Sequence, residues 1–469
     1  MIAQIAKKEV RHNLYTIRFP ALLVISAVLF ILNGILAVTE PVQEEFRPGP
    51  STTGLTIRRE PDILQFCARG TNADRIQMAR VDLGGAIKPM TMEDPSSLPS
   101  GDHLGNYALP HADRIDWMFI IKMIFSLFAI IFTFDAISGE REKGTLTLMC
   151  ANSISRSSVL LGKYLGACGT LMIPLMLGVV INLIIILVVG AIAGTVSLQL
   201  GHFLRMGLLI LMSIVYISMF VLLGLLVSTA VRRSSTSLLI LLAFWVTLVM
   251  VLPNMAGIIA EHSTKTESEY QLSKRQRQTW DLAGGDELNK RIDSGKITNQ
   301  EEMDRAAEEL FINMMKIINN AEAEHRAALI AKRRLARHIA LASPAAIYQY
   351  VGEAIANSGF ERQQQFMKSA ANYYLVYENY VREKVGKVIP NCLWSFSMSR
   401  TVNGKQLYLK SPRPEQYGGD MSDFPYFGEQ RQSTMDSLRV SLTNLAILFL
   451  WNVLFFVAAH YVFVKRSLR

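Results

Sequence analysis

Six apolar runs, each about as long as a bilayer core is thick, constrain this chain more than any other feature. They cover 19–38, 117–137, 164–194, 206–231, 237–259 and 438–464. About 20 predominantly apolar residues in a helix cross the hydrocarbon core. The chain is therefore expected to be an all-α polytopic membrane protein with six transmembrane helices. Composition agrees: 50% of its 469 residues are hydrophobic, and the excess is concentrated in these runs instead of spread evenly.

The segments between the runs set the topology. Residues 1–18 carry Lys7, Lys8, Arg11 and Arg18, with Ile2, Ile5, Ala6, Val10 and Leu14 at helical spacing. This predicts an amphipathic interfacial helix on the inner membrane surface, with membrane lipid as its partner. The long basic leader and the poor small-residue site at Ala37-Val38-Thr39 argue against a cleaved signal peptide. An even number of spans puts both termini on one side. That side also holds 138–163, Arg232-Arg233 and the tail Lys465-Arg466, whereas the short turn 195–205 has Arg205 alone. The positive-inside rule assigns the basic side to the cytoplasm of a cell inner membrane. The net charge of +9 belongs to these flanks and not to one basic domain, which argues against a nucleic-acid partner.

Two large polar regions then face outward. Residues 39–116 read as a small loop-rich outer lobe, with 55–58, 63–67 and 76–81 as candidate short strands. Residues 260–437 read as an extracytoplasmic helical stalk. Met303, Ala307, Leu310, Met314, Ile317, Ala321, Ala328, Ala331 and Leu335 keep a near-heptad spacing. They predict a helix over 300–341, stopped at Ser343-Pro344. The fifth run is expected to continue outward through 263–282. Further helices are expected over 345–357 and 360–385, and 391–428 looks less regular. Tyr373, Tyr374, Tyr377 and Tyr380 read as helix packing. Glu322, Glu324 and His325 read as a solvated face. Lys122 is expected to snorkel to the interface, and Pro253 to kink the fifth span.

No motif for chemistry is present. Gly162-Lys163, Gly295-Lys296, Gly386-Lys387 and Gly404-Lys405 all lack the glycine and hydroxyl of a phosphate-binding loop, and neither His-Glu-x-x-His nor Gly-x-Ser-x-Gly occurs. Catalytic, cofactor-binding and metal-binding residues are not expected, so the chain reads as non-catalytic. Of the cysteines, Cys67 and Cys392 are the two assigned outward, which leaves a disulfide between them open. Cys168 reads as a packing residue.

The connector 138–163 remains. It opens with Ser138, a candidate helix N-cap, followed by Glu140 in the first turn. Thr145, Leu146 and Leu148 offer an apolar face beside charges of both signs, so a short helix over 138–148 is expected. An ordinary solvated loop is the plainer reading. Here the residues resemble a known family. Asp135-x-Ile-x-Gly-Glu-Arg-Glu-x-Gly-Thr-Leu146, then Ser155-Arg156 and Leu160-Leu-Gly-Lys-Tyr-Leu165, are similar to the signature of type-2 ABC transporter permeases. The resemblance implies that Gly139, Glu140, Arg141, Glu142, Lys143, Gly144 and Thr145 couple the chain to an ATPase. It also implies two ABC ATPase subunits carrying ATP and Mg, and a second permease, identical or related. The large insertions after spans one and five, with Ala342-Ser343-Pro344-Ala345, resemble permeases of gliding-motility and metalloenzyme-maturation systems. The functions open at this point are export of an amphipathic substrate, and mechanotransmission to a periplasmic or cell-surface protein. A receptor or anchor without an ATPase is the third.

Overall fold

A computed structural model describes residues 2–39, 54–58, 64–70, 78–82, 87–90, 115–145, 155–193, 199–264, 266–279, 281, 286–385, 398–402, 405–409, 427–428 and 434–466. Among these, six helices are long and apolar enough to cross a membrane. They are α2 (Arg18–Thr39), α3, α5 (Arg156–Ala193), α6 (Leu200–Ala230), α7 and α13 (Thr434–Arg466). Two of them contain a π-helical stretch. Helix α3 runs through Trp117–Phe119, π-helical Ile120–Phe125 and Ser126–Thr133. Helix α7 runs through Ser234–Trp245, π-helical Val246–Val251 and Leu252–Ser263. Pro253 falls in the first turn after the π stretch, where the widened helix has already changed its bonding pattern.

Buried polar groups pin the bundle. Trp117 Nε1 donates to Asn182 Oδ1 at 3.0 Å, and Asn182 Nδ2 donates to Asn33 Oδ1 at 2.8 Å. Asn33 in turn donates to the carbonyls of Phe66 and Ile115. These bonds tie α2, α3 and α5 to the turn 64–67, which caps the bundle and is not the strand expected there. Leu64, Phe66 and Cys67 are buried in the main core instead. Trp245 Nε1 donates to Ser126 Oγ, joining α7 to α3. Tyr164 and Ser218 share a hydrogen bond, and Ser218 donates to Asn452 Oδ1, joining α5, α6 and α13. Unpaired polar groups in an apolar medium are costly, so each such bond also fixes register.

Helix α11 (Pro344–Ala356) is the wedge at one end of the bundle, called here the lobe end. Ser343 caps it, accepting from Ala346 N, and also donates to the Leu248 carbonyl inside the π stretch of α7. Tyr348 stacks on Tyr216 at 4.4 Å and shares a hydrogen bond with Ser213. Lys122 Nζ donates to Gln349 Oε1 of α11 at 3.0 Å, and Gln349 Nε2 donates on to Glu353 Oε1.

Outside the bundle, α10 (Gln300–Ala340) is a 41-residue helix. Asn299 caps it, accepting from Glu302 N. Its root packs Ala340 against Ala256 of α7 and Ala346 of α11. Helix α7 does not continue outward through 282: the chain turns extended at Thr264, and a separate α8 (Glu269–Thr279) follows. Helix α9 (Glu287–Asp293) packs on α10 through Leu288 and Met303, together with Leu407 of β5. Strands β4 (Met398–Val402) and β5 (Lys405–Leu409) form an antiparallel hairpin in the stretch expected to be irregular. The lobe contributes β1 (Gly54–Arg58), β2 (Met78–Asp82) and β3 (Ile87–Met90), an antiparallel meander. Ile57 and Ala79 of that sheet pack on Phe366, Ala370, Tyr373 and Tyr377 of α12 (Phe360–Val385). The tyrosine stripe is thus a packing face for the lobe.

Candidate functional site

The candidate site is the connector, at the end opposite α11. Helix α4 (Ser138–Glu142) is one turn and a half, shorter than the 138–148 expected. Gly144 ends it with φ +72°, a left-handed conformation that a side chain would strain. Leu146, Leu148 and Cys150 lie outside the described residues. The stretch 156–163 forms the first two turns of α5.

Ser138 does not cap α4. It is the first helical residue, and it is buried. Its hydroxyl donates to the Phe134 carbonyl and meets Ser234 Oγ, while the N–H groups of Ile137 and Ser138 donate to Ser228 Oγ. The orphan donors at this helix start are satisfied by α6, across about 90 residues of chain. Arg141 Nη1 donates to the Val231 carbonyl at 2.9 Å, at the end of α6. Glu142 accepts from Ser234 N at 2.9 Å and from Ser234 Oγ at 2.8 Å. It caps α7, whose own N-cap residue Arg233 makes no side-chain cap. Glu140 accepts from Thr145 Oγ1 and lies 4.0 Å from Lys163 Nζ. Gly139 sits against the Cβ of Asp135 and the hydroxyl of Ser234. Among the predicted site residues, Glu142, Lys143 and Gly144 are exposed, and the others turn inward.

Helix α1 (Ile2–Leu14) completes the site. Ile5, Ala6 and Val10 of its apolar face pack on α5, where Gly162 and Gly166 admit it. A Cβ at Gly162 would come within 2.7 Å of Ile5, and one at Gly166 within 3.1 Å of the Ala6 carbonyl. Lys7, Lys8, Arg11 and His12 are left exposed. Arg18, at the start of α2, grips Asp135 with two bonds of 3.1 and 2.8 Å, donates to the Ile131 carbonyl and lies over the Phe134 ring. Sequence reasoning missed Arg18, Lys163 and Ser234. The motif displayed Asp135 and Lys163, but not what each of them meets.

At the lobe end, Asp116 caps α3, accepting from Phe119 N and Arg69 N. Burial pushes its carboxyl up to about 6, against the lowering effect of both N–H bonds and of Lys122. Cys67 is buried beside it, and the same burial pushes its thiol well up. Cys392 lies outside the described residues, and with it any pairing of the two. Among the described residues there is no group of three His, Cys, Asp or Glu placed to hold a metal ion. Glu322 is engaged with Gln276 and Arg326.

The sequence profile of the ABC-2 family transporter protein matches residues 3–468. Comparison with curated proteins found no match. The chain belongs to the ABC-2 family: it is a multi-pass membrane protein and a permease subunit of an ABC transporter. Membership implies an ABC ATPase as partner and, as a rule, a second permease.

Proposed function

We propose that this permease subunit is driven by a separate ATPase that docks on the connector, at Lys143 and Gly144 with their neighbours Gly139 to Thr145. The observation that carries the reading is that the connector has two faces. Ser138, Glu140, Arg141 and Glu142 are bonded into the chain's own helices, whereas the turn at Lys143 and Gly144 is exposed. A push on a short ridge fixed to α5, α6 and α7 displaces whole helices, the kind of rigid-body step that switching proteins use. ATP and Mg belong on the partner, and this chain supplies no catalytic group. The charge distribution supports both termini and the connector lying in the cytoplasm, at an inner membrane. Two permeases, identical or related, and two ATPases form the working unit. The activity is export of a lipid, peptide or other amphipathic substrate.

One observation favours a second reading, mechanotransmission with nothing crossing. Helix α10 is about 60 Å long at 1.5 Å per residue, and its root packs on α7 and α11. A shift of α7 is thereby carried into the stalk and on to an outer partner.

The test is gentle purification, followed by ATP hydrolysis measured in nanodiscs. Glu140 and Glu142 hold the connector in place, so Lys143→Glu is the cleaner probe. An ATPase should co-purify, and Lys143→Glu should lower both its recovery and its stimulated hydrolysis. Unchanged assembly and hydrolysis in Lys143→Glu would sink the docking site. Absence of any ATPase would leave the receptor or anchor reading.

A further inference from the structure

Lys163 is nearly excluded from water, at 3% exposed, and lies between carboxylates from two different elements. Its Nζ is 2.6 Å from Glu9 Oε1 of α1 and 4.0 Å from Glu140 Oε1 of the connector. Removing an ammonium from water is costly unless it is paired. An ammonium held in this place therefore holds both carboxylates. The glycines on either side do the steric part: at Gly162 and Gly166 the backbone of α1 comes close enough for Glu9 to reach. Lys8 and Lys143 also face Glu140, but both are exposed.

We propose that Lys163 is a positioning residue that fastens the N-terminal helix and the connector to α5, so that the three move as one body. Without the cation, Glu9 and Glu140 are left as like charges with no ammonium between them, and α1 keeps its apolar contact and the Asn13 to Thr170 hydrogen bond. Helix α1 leads into α2, so the clamp makes the first span follow the connector together with the third. The clamp stands on the geometry of this chain. Its consequence for coupling rests on the docking reading above.

Two measurements separate them. Nitroxide labels go on unnatural amino acids at the exposed positions Lys7 and Lys143, in the full chain in nanodiscs, with the native cysteines untouched. Pulsed electron paramagnetic resonance should find one narrow distance in the parent. Lys163→Met should at least double the width of the distribution, and Lys163→Arg, which keeps the charge, should restore it. Glu9→Gln and Glu140→Gln each remove one arm and should broaden it by less, which keeps the test decisive if Lys163→Met does not fold. A parent-like distribution in folded Lys163→Met, or in both glutamine variants, overturns the clamp. In complex with the ATPase, ATP should change the distance from Lys7 to Gly201 in the parent and not in Lys163→Met. If no ATPase binds, the docking reading falls while the first measurement still decides the clamp.

Discussion

The connector end of the bundle is held largely by charged contacts, several of them within reach of water, and the lobe end by a close-packed wedge whose Ser343, Tyr348 and Glu353 water does not reach. Arg18 and Asp135 are each about a third exposed, and Glu142 caps α7 from an exposed position. Ser343, Tyr348 and Glu353 of the α11 region are fully buried. Exposed ion pairs contribute about 0–1 kcal/mol each and can be remade after a displacement. Close-packed side chains resist displacement, because every gap forfeits contact energy. The exposed contacts at the connector end are thus easier to remake after a shift than the packing at the lobe end. The contrast fits a machine that receives a push at the connector and carries it through intact helices.

The strongest way to break this comparison is to empty the wedge. Tyr348→Ala should destabilise by about 3–5 kcal/mol, the usual range for losing a large buried aromatic, and should lower the midpoint of thermal unfolding in detergent. A loss no larger than that of an ion-pair variant such as Arg18→Gln would erase the difference between the two ends.

Acidity sharpens it next. The Asp116 carboxyl sits at about 6 in the fold against an ordinary 3.8. A raised carboxyl means the folded state holds the proton more tightly than the unfolded one. Asp116 therefore weakens the fold above about pH 6 and ceases to do so as pH falls toward 3.8. Each pH unit between those values is worth about 1.4 kcal/mol. Thermal unfolding at pH 5 and 7.5 should show the parent gaining more from acid than Asp116→Asn. Equal gains would show that the lobe end is wetter than its geometry implies.

The smallest effect belongs to the exposed cap. Glu142→Gln keeps the size of the side chain and removes its charge from the start of α7. Amide exchange at 234–237 should quicken a few-fold with no change in global unfolding. A global loss of stability would mean that the connector end is no looser than the wedge.

How much of this was legible depends on the range of each contact. The six spans were readable because membrane insertion is a property of local composition. The helix from Gln300 and its stop at Ser343-Pro344 were readable from periodicity and from a Ser-Pro pair. The signature around the connector was readable as a motif, but its meaning was not. Glu142 looks like a free surface charge until Ser234 is seen beside it, 92 residues away. The acceptor of Lys122, Gln349, lies 227 residues downstream. The hairpin β4–β5 carried a local signal that the reading of 391–428 as irregular passed over: Asn403-Gly404, the favoured pair for a two-residue hairpin turn, separates its strands.

By itself, then, the sequence determined that the chain crosses a membrane six times, carries no phosphate-binding loop and presents a charged connector between its second and third spans. These follow from apolar length, missing residues and local order, none of which needs a third dimension. Only the tertiary structure decided which of those charges face outward and which serve the bundle. That choice depends on buried partners drawn from distant parts of the chain. A lysine or glutamate looks the same in a sequence whether water or a carboxylate stands within 3 Å of it.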